Sequence, residues 1–175
     1  MPALSSSDFK GRVWRHVPPG AAPLHIGKLW RHSAGRWNRH EEYACLYTAL
    51  TREGALGELA KLRRLYGTAI GERDLVSIDI ELVEPVLDLT DPHTYRSLAV
   101  NAGELPQSHF LTADVAAAQE HCRRLADQAR DDGYTALRVP SAAVAGEVNL
   151  VIYFDVVAPK HLRIDDGPDR ERLGL

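Results

Sequence analysis

The protein has 175 residues, of which 45% are hydrophobic and 26% are charged, and this composition predicts one domain with a single apolar core. The formal net charge is only -3 and the 21 lysine and arginine residues are scattered, which argues against direct nucleic-acid binding and against an acidic membrane partner. Two cysteines, Cys45 and Cys122, exclude a multi-bridge disulfide framework. A basic apolar leader and any apolar run of about 18 residues are missing, which favours a cytoplasmic protein.

Alternating apolar residues indicate the first strands. Residues 1–10 are expected to be a disordered N-terminal tail, and residues 11–17 alternate as a strand from which Arg15 projects. A second strand is predicted over residues 43–50, with Tyr47 on the same face as the cysteine of that segment. The first two predicted strands therefore each carry one large polar side chain, Arg15 and Tyr47.

A helix is predicted directly after Thr51, a residue type that caps helix N-termini well. Its apolar stripe recurs at helical spacing and consists of Ala55, Leu59, Leu62 and Tyr66. Glu58 lies about 70° from the centre of this stripe, so its carboxylate should point to the core-side edge of the helix. The alternative interpretation is an ion pair within the helix, for which Lys61 at position i+3 is the candidate.

The second half of the chain alternates between helical and strand patterns. Further strands are predicted over residues 75–82, 134–139 and 148–157, and helices over residues 92–100 and 112–131. Pro85 is expected to close the first of these strands, Thr112 to cap the longer helix, and residues 166–175 to form a C-terminal tail. Because the elements lack regular βαβ spacing and no repeat is visible, we predict a single compact α+β domain over residues 11–165.

The segment Gly35-Arg36-Trp37-Asn38 interrupts the periodic pattern with residue types that suit an anionic ligand bearing a ring. Glycine permits unusual backbone angles, arginine binds phosphate oxygens through two donors, and an aromatic ring can stack on a base. The alternative is that Trp37 is a core or lid aromatic residue and Arg36 a solvated loop charge. Taken alone, this short motif does not decide between the two.

Ser141 follows Pro140 at the end of a predicted strand, where sheets commonly present ligand-binding groups. The alternative is a turn serine that bonds its own backbone. No Gly-x-Ser-x-Gly motif is present, so Ser141 does not carry the signature of a hydrolase nucleophile. The eight histidines are dispersed and form no close metal-binding pair, so no metal is expected and most are interpreted as surface or loop residues.

Together these segments resemble the RES domain family, which is named for its arginine, glutamate and serine. Its members carry an arginine on the first strand, a Gly-Arg-Trp-Asn loop, a Leu-Tyr strand before a helix with an inward glutamate, and a late Arg-Val-Pro-Ser segment followed by an asparagine. The match spans residues 12 to about 155. The matching positions here are Arg15, Arg36, Trp37, Asn38, Tyr47, Glu58, Ser141 and Asn149.

The resemblance implies a domain like that of the ADP-ribosyltransferase toxins, and an enzyme that cleaves the nicotinamide–ribose bond of NAD. It implies catalytic roles for three residues: Glu58 would stabilise the developing ribose cation, Arg36 would hold pyrophosphate or an incoming phosphate, and Ser141 would orient the ribose. The residues implied in substrate binding are Arg15, Trp37, Asn38, Tyr47 and Asn149.

The resemblance also implies a biological setting. NAD would be the substrate, inorganic phosphate or water the acceptor, and the protein an NAD phosphorylase or glycohydrolase that acts as the toxin of a type II toxin–antitoxin system. An antitoxin protein that blocks the active site would be its partner. The alternatives are a protein mono-ADP-ribosyltransferase and a non-catalytic module that binds a nucleotide or a partner.

Overall fold

The computed structural model describes residues 6–25, 35–39, 41–98 and 113–174. The strands are β1 (Ser6–Val17), β2 (Cys45–Ala49), β3 (Arg73–Asp88), β4 (Ala136–Pro140), β5 (Val148–Tyr153) and β6 (Leu162–Leu173). The α-helices are α1 (Arg52–Tyr66), α2 (Pro92–Ser97) and α3 (Ala113–Asp131). This mixture of helices and strands confirms the predicted α+β domain. None of the described helices has the length and apolar character needed to cross a membrane.

The strands form one sheet in which five of them close a ring. The order around the ring is β1, β2, β5, β4 and β3, and β3 pairs again with β1. The β3–β4 pairing is parallel and the others are antiparallel. β3 holds the arrangement together, because β1 occupies one of its edges while β6 and β4 share the other, along residues 73–82 and 86–88 respectively.

Two apolar clusters lie on opposite faces of the β2–β5–β4 part of the sheet. One cluster consists mainly of Val13, Leu46, Ile78, Ile80, Leu82, Val86, Ala136, Leu150 and Ile152. The other face carries Cys45, Leu137, Val139, Val151 and Tyr153, which pack against Cys122, Leu125, Ala126 and Ala129 of α3. Neighbouring residues of each strand therefore contribute to different clusters, as the two-residue period of a strand requires.

Helix α1 begins as predicted, with the Thr51 hydroxyl oxygen accepting a hydrogen bond from the Gly54 amide at 2.9 Å. Ala55 and Leu59 of the predicted stripe are buried, but Leu62 is half-buried and Tyr66 is 51% exposed. The stripe therefore packs on the core only along the first half of the helix. The second half borders the cavity described below.

Both termini of the domain differ from the expected tails. β1 begins at Ser6 and β6 continues to Leu173, because the long β3 supplies pairing partners for both segments. The C-terminal tail was expected over residues 166–175, yet β6 includes residues 166–173, because charged residues are favourable on an outer strand that faces water. Residues 1–5 of the expected N-terminal tail lie outside the described residues.

The ends of other elements also differ from the predicted ones. β3 continues through Pro85 to Asp88, and this proline lies where the pairing with β1 shifts register, so its missing N–H breaks no regular ladder. Helix α2 ends at Ser97 rather than at residue 100, which lies outside the described residues. The predicted cap Thr112 lies outside them as well.

A buried carboxylate connects β3, β6 and the loop after β1. Asp74 is 2% exposed and accepts hydrogen bonds from the Gly20 amide at 2.8 Å, from Arg170 at 2.6 Å and from Arg172. These bonds, that of Gly20 first, lower the pKa of Asp74 to about 2. The ionised carboxylate is thus bonded by three donors in the folded protein.

We expect acid to weaken the fold through Asp74. Its pKa is depressed on folding, so the stabilisation is present above the unfolded pKa of about 4 and is lost as the pH falls towards 2. Thermal unfolding of Asp74→Asn should show a weaker dependence of Tm on pH between 4 and 2 than the wild type. Asp132→Asn, at an exposed position, is the control and should keep the wild-type slope. Equal slopes for wild type and Asp74→Asn would contradict this account.

Candidate active site

A cavity of about 370 Å³ opens between α1, the end of β1, β2 and the loop at residues 35–38. Six of the predicted site residues line it: Arg15, Arg36, Trp37, Tyr47, Glu58 and Asn149. The other two, Asn38 and Ser141, are hydrogen-bonded to Tyr47 and Glu58 respectively. The fold thus brings together residues as far apart in the sequence as Arg15 and Asn149.

Glu58 lies on α1, and its carboxylate is held by the opposite side of the cavity. Its Oε1 atom accepts hydrogen bonds from the Ser141 hydroxyl at 2.7 Å and from the Asn149 side-chain amide at 2.8 Å. Strand pairing brings Asn149 close, since it lies opposite Ala49 at the end of β2, two residues before the helix cap Thr51. Glu58 is therefore fixed by neutral donors from two other segments.

Ser141 directs its hydroxyl proton to Glu58 and is itself held by the chain after it. Its Oγ atom accepts from the amides of Ala143 at 3.0 Å and Val144 at 3.2 Å, so it is also the turn serine of the alternative interpretation. One donor and two acceptor positions are the full capacity of a hydroxyl. Ser141 is 4% exposed, and its hydroxyl holds the Glu58 carboxylate in place.

Tyr47 fastens the loop at residues 35–38 to β2. Its hydroxyl donates to Asn38 Oδ1 at 2.9 Å and accepts from the Trp37 amide at 2.9 Å, while the Gly35 amide donates to the same Asn38 oxygen at 3.0 Å. A Cβ atom on Gly35 would lie 2.2 Å from that oxygen, so the close approach requires glycine. Burial raises the pKa of Tyr47, which keeps the hydroxyl protonated and able to donate.

The two other loop side chains are buried. Trp37 is 1% exposed and packs in the cluster beneath α3, as the alternative interpretation of a core aromatic expected. Little of its ring is left for stacking on a ligand. Asn38 is 3% exposed and is occupied by the loop bonds, so both residues position the loop.

Both predicted arginines are tied to backbone carbonyl groups. Arg36 is 6% exposed, donates to the Pro140 carbonyl at 2.7 Å, and has its guanidinium 5.2 Å from the Trp37 ring centroid. Arg15 donates to the carbonyls of Pro23 at 3.0 Å and His25 at 2.9 Å. Burial lowers the pKa of Arg15 to about 10, which leaves it cationic at neutral pH.

Sequence reasoning missed two basic residues of the cavity wall, His16 and Lys61. Burial lowers the pKa of His16 to about 4, with smaller contributions from nearby arginines, so this imidazole is uncharged at neutral pH. Lys61 is 8% exposed and donates from Nζ to the Ala142 carbonyl at 3.0 Å. His16 directly follows Arg15, and Lys61 follows Glu58 by three positions on the same helix. This closeness to predicted site residues is the feature of the sequence that could have identified them.

Removing the Tyr47 hydroxyl should loosen the loop. Tyr47→Phe leaves the Trp37 amide and the Asn38 oxygen without this partner, which should lower the free energy of unfolding by about 1–3 kcal/mol. Urea denaturation measures the change. Tyr66→Phe removes a hydroxyl from a half-exposed ring and should change stability by less than about 0.5 kcal/mol. Equal stability of the two variants would show that the hydroxyl does not hold the loop.

The geometry can be compared with known proteins. The family model described as RES domain matches residues 12–174. A chain in the crystal structure of the M. tuberculosis MbcT–MbcA toxin–antitoxin complex is similar with a TM-score of 0.70 and 18% sequence identity, over 97% of this chain and 87% of that chain. This likeness shows a shared fold, while no curated protein matches the sequence. Since the family model covers almost the whole length, the chain belongs to the RES domain family.

Proposed function

We propose that the protein cleaves the nicotinamide–ribose bond of NAD, with inorganic phosphate or water as acceptor. The observation that carries the proposal is the Glu58 carboxylate, which Ser141 and Asn149 hold at the wall of a cavity rich in positive charge. Membership of the RES domain family supports the same chemistry. A volume of about 370 Å³ lies within the range of small-molecule sites.

The reaction needs a fixed negative charge next to the ribose. When the C1–N bond breaks, its electron pair leaves with the nicotinamide nitrogen, which becomes neutral, and positive charge develops on the ribose. A preorganised carboxylate stabilises that charge more than water does, because it does not have to reorient. Glu58 supplies the carboxylate, and the acceptor oxygen then forms the new bond to C1.

The rest of the cavity wall suits the remainder of a dinucleotide. Arg15 and Arg36 offer guanidinium groups to the pyrophosphate, whose oxygens they match in charge and geometry. Mass spectrometry of the products from NAD, with and without phosphate and with added protein, separates phosphorolysis, hydrolysis and ADP-ribose transfer.

The Glu58→Gln variant tests the proposed catalytic carboxylate. Glutamine keeps an oxygen that accepts from Ser141 and Asn149, so fold and NAD binding should persist while turnover falls on the order of 10²-fold or more. Glu53→Gln, an exposed carboxylate on the same helix, is the matched control and should retain activity. A folded Glu58→Gln variant with wild-type NAD consumption would contradict the assignment.

We also propose that the protein is a toxin that acts in the cytoplasm and is neutralised by an antitoxin. The similar structure named above is described as a toxin–antitoxin complex, which supports a protein partner. Because the cavity wall carries more cations than carboxylates among its described residues, the inhibitor should insert an anionic group and compete with NAD.

Expression in a bacterial host tests this biological role. Wild-type protein should lower cellular NAD and arrest growth, whereas Glu58→Gln at equal abundance should not, because only the chemical step is removed. Cellular NAD and growth are measured side by side. Unchanged NAD in cells with abundant folded wild-type protein would contradict the toxin role.

A further inference from the structure

Lys61 lines the candidate active site but belongs to none of the sequence motifs. It is 8% exposed and follows Glu58 by three positions on α1, so both side chains leave the same face of the helix. Its ammonium group donates to the Ala142 carbonyl, directly after Ser141. Burying a cation is costly unless nearby groups compensate it, so this position calls for a physical explanation.

The charges around Lys61 favour a further anion. Burial is the largest cause that lowers the pKa of Lys61. The negative charge of Glu58 raises this pKa, whereas the positive charges of Arg36 and Arg64 lower it. The described cavity wall therefore holds Arg15, Arg36 and Lys61 together with Glu58, an excess of positive charge. A bound oxyanion would offset this repulsion between like charges.

We propose that Lys61, together with Arg36, forms an oxyanion site next to Glu58 that receives a phosphate group. The inference rests on the proposed cleavage of NAD, and two sources of the phosphate share this chemistry: inorganic phosphate as acceptor, and the pyrophosphate of the dinucleotide. Without a cation close by, Glu58 would repel either anion from the reacting carbon. A water acceptor is neutral and gains nothing from such a cation.

The bonds and charges balance for phosphate as acceptor. An oxygen of hydrogen phosphate forms the bond to C1 as the C1–N bond breaks, and the electron pair leaves with nicotinamide, which becomes neutral. The remaining proton of the phosphate group passes to solvent. Lys61 and Arg36 hold the other phosphate oxygens during this step and take no part in bond making.

Calorimetric titration tests the site without turnover. Inorganic phosphate and inorganic pyrophosphate are titrated into the wild type and Lys61→Gln, and NAD into the same two chains carrying Glu58→Gln. Loss of the buried charge in Lys61→Gln should lower the binding affinity for at least one of these ligands by about tenfold or more. Weaker phosphate binding with unchanged NAD binding identifies the acceptor, and weaker pyrophosphate and NAD binding identifies the dinucleotide.

Matched controls keep the result specific to Lys61. Arg124→Gln removes an exposed charge from α3, outside the cavity lining, and should change each affinity less than twofold. Lys61→Met, which keeps a long unbranched side chain, is the second variant if Lys61→Gln does not fold. Unchanged affinities for all three ligands in a folded Lys61 variant would overturn the site. A wild type that binds phosphate through Lys61 without consuming NAD would refute the proposed function alone.

Discussion

The two hydrogen bonds that Ser141 and Asn149 donate to Glu58 are the interaction on which the candidate site depends. They require α1 to approach the loop before β5 closely, and Gly57 permits this approach, since a Cβ there would lie 2.0 Å from a Val144 methyl carbon. The Thr51 hydroxyl bonds the Glu147 carboxylate at the start of the same helix. Helix cap, close packing and carboxylate position are therefore one structural unit.

The loop at residues 35–39 is held from two sides, which gives Arg36 a defined position. Tyr47 bonds it to β2, and α3 bonds both of its ends. Arg123 donates to the Gly35 carbonyl at 3.1 Å, and Arg39 pairs with Glu120 at 2.9 Å. Fixing a long arginine side chain in one geometry costs conformational entropy, and for this reason a single exposed ion pair contributes little. A partly buried network of several charges therefore positions a loop better than one pair does.

The sequence predicted the parts of the fold that follow from local periodicity. Alternation identified the central strands and Thr51 identified the start of α1, because burial and capping act within a few residues. The terminal strand β6 was missed, since its charged residues are compatible with both a tail and an exposed edge. Helical spacing left two interpretations of Glu58 open, and the resemblance to the RES domain family identified it as a site residue. The position of Lys61 depends on Ala142, 81 positions away, and no local pattern encodes it.

The choice of neutral partners for Glu58 has an electrostatic consequence. A carboxylate bonded to an arginine fork is oriented but loses much of its field to the paired cation, whereas a hydroxyl and an amide orient it with their dipoles and leave its net charge in place. The donors to Glu58 Oε1 are a hydroxyl, from Ser141, and a side-chain amide, from Asn149, and both are uncharged. In a wall that also carries Arg15, Arg36 and Lys61, this arrangement keeps one concentrated negative charge at Glu58. The proposed cleavage of NAD requires such a charge next to the ribose, and the proposal assigns the surrounding positive charges to the phosphates.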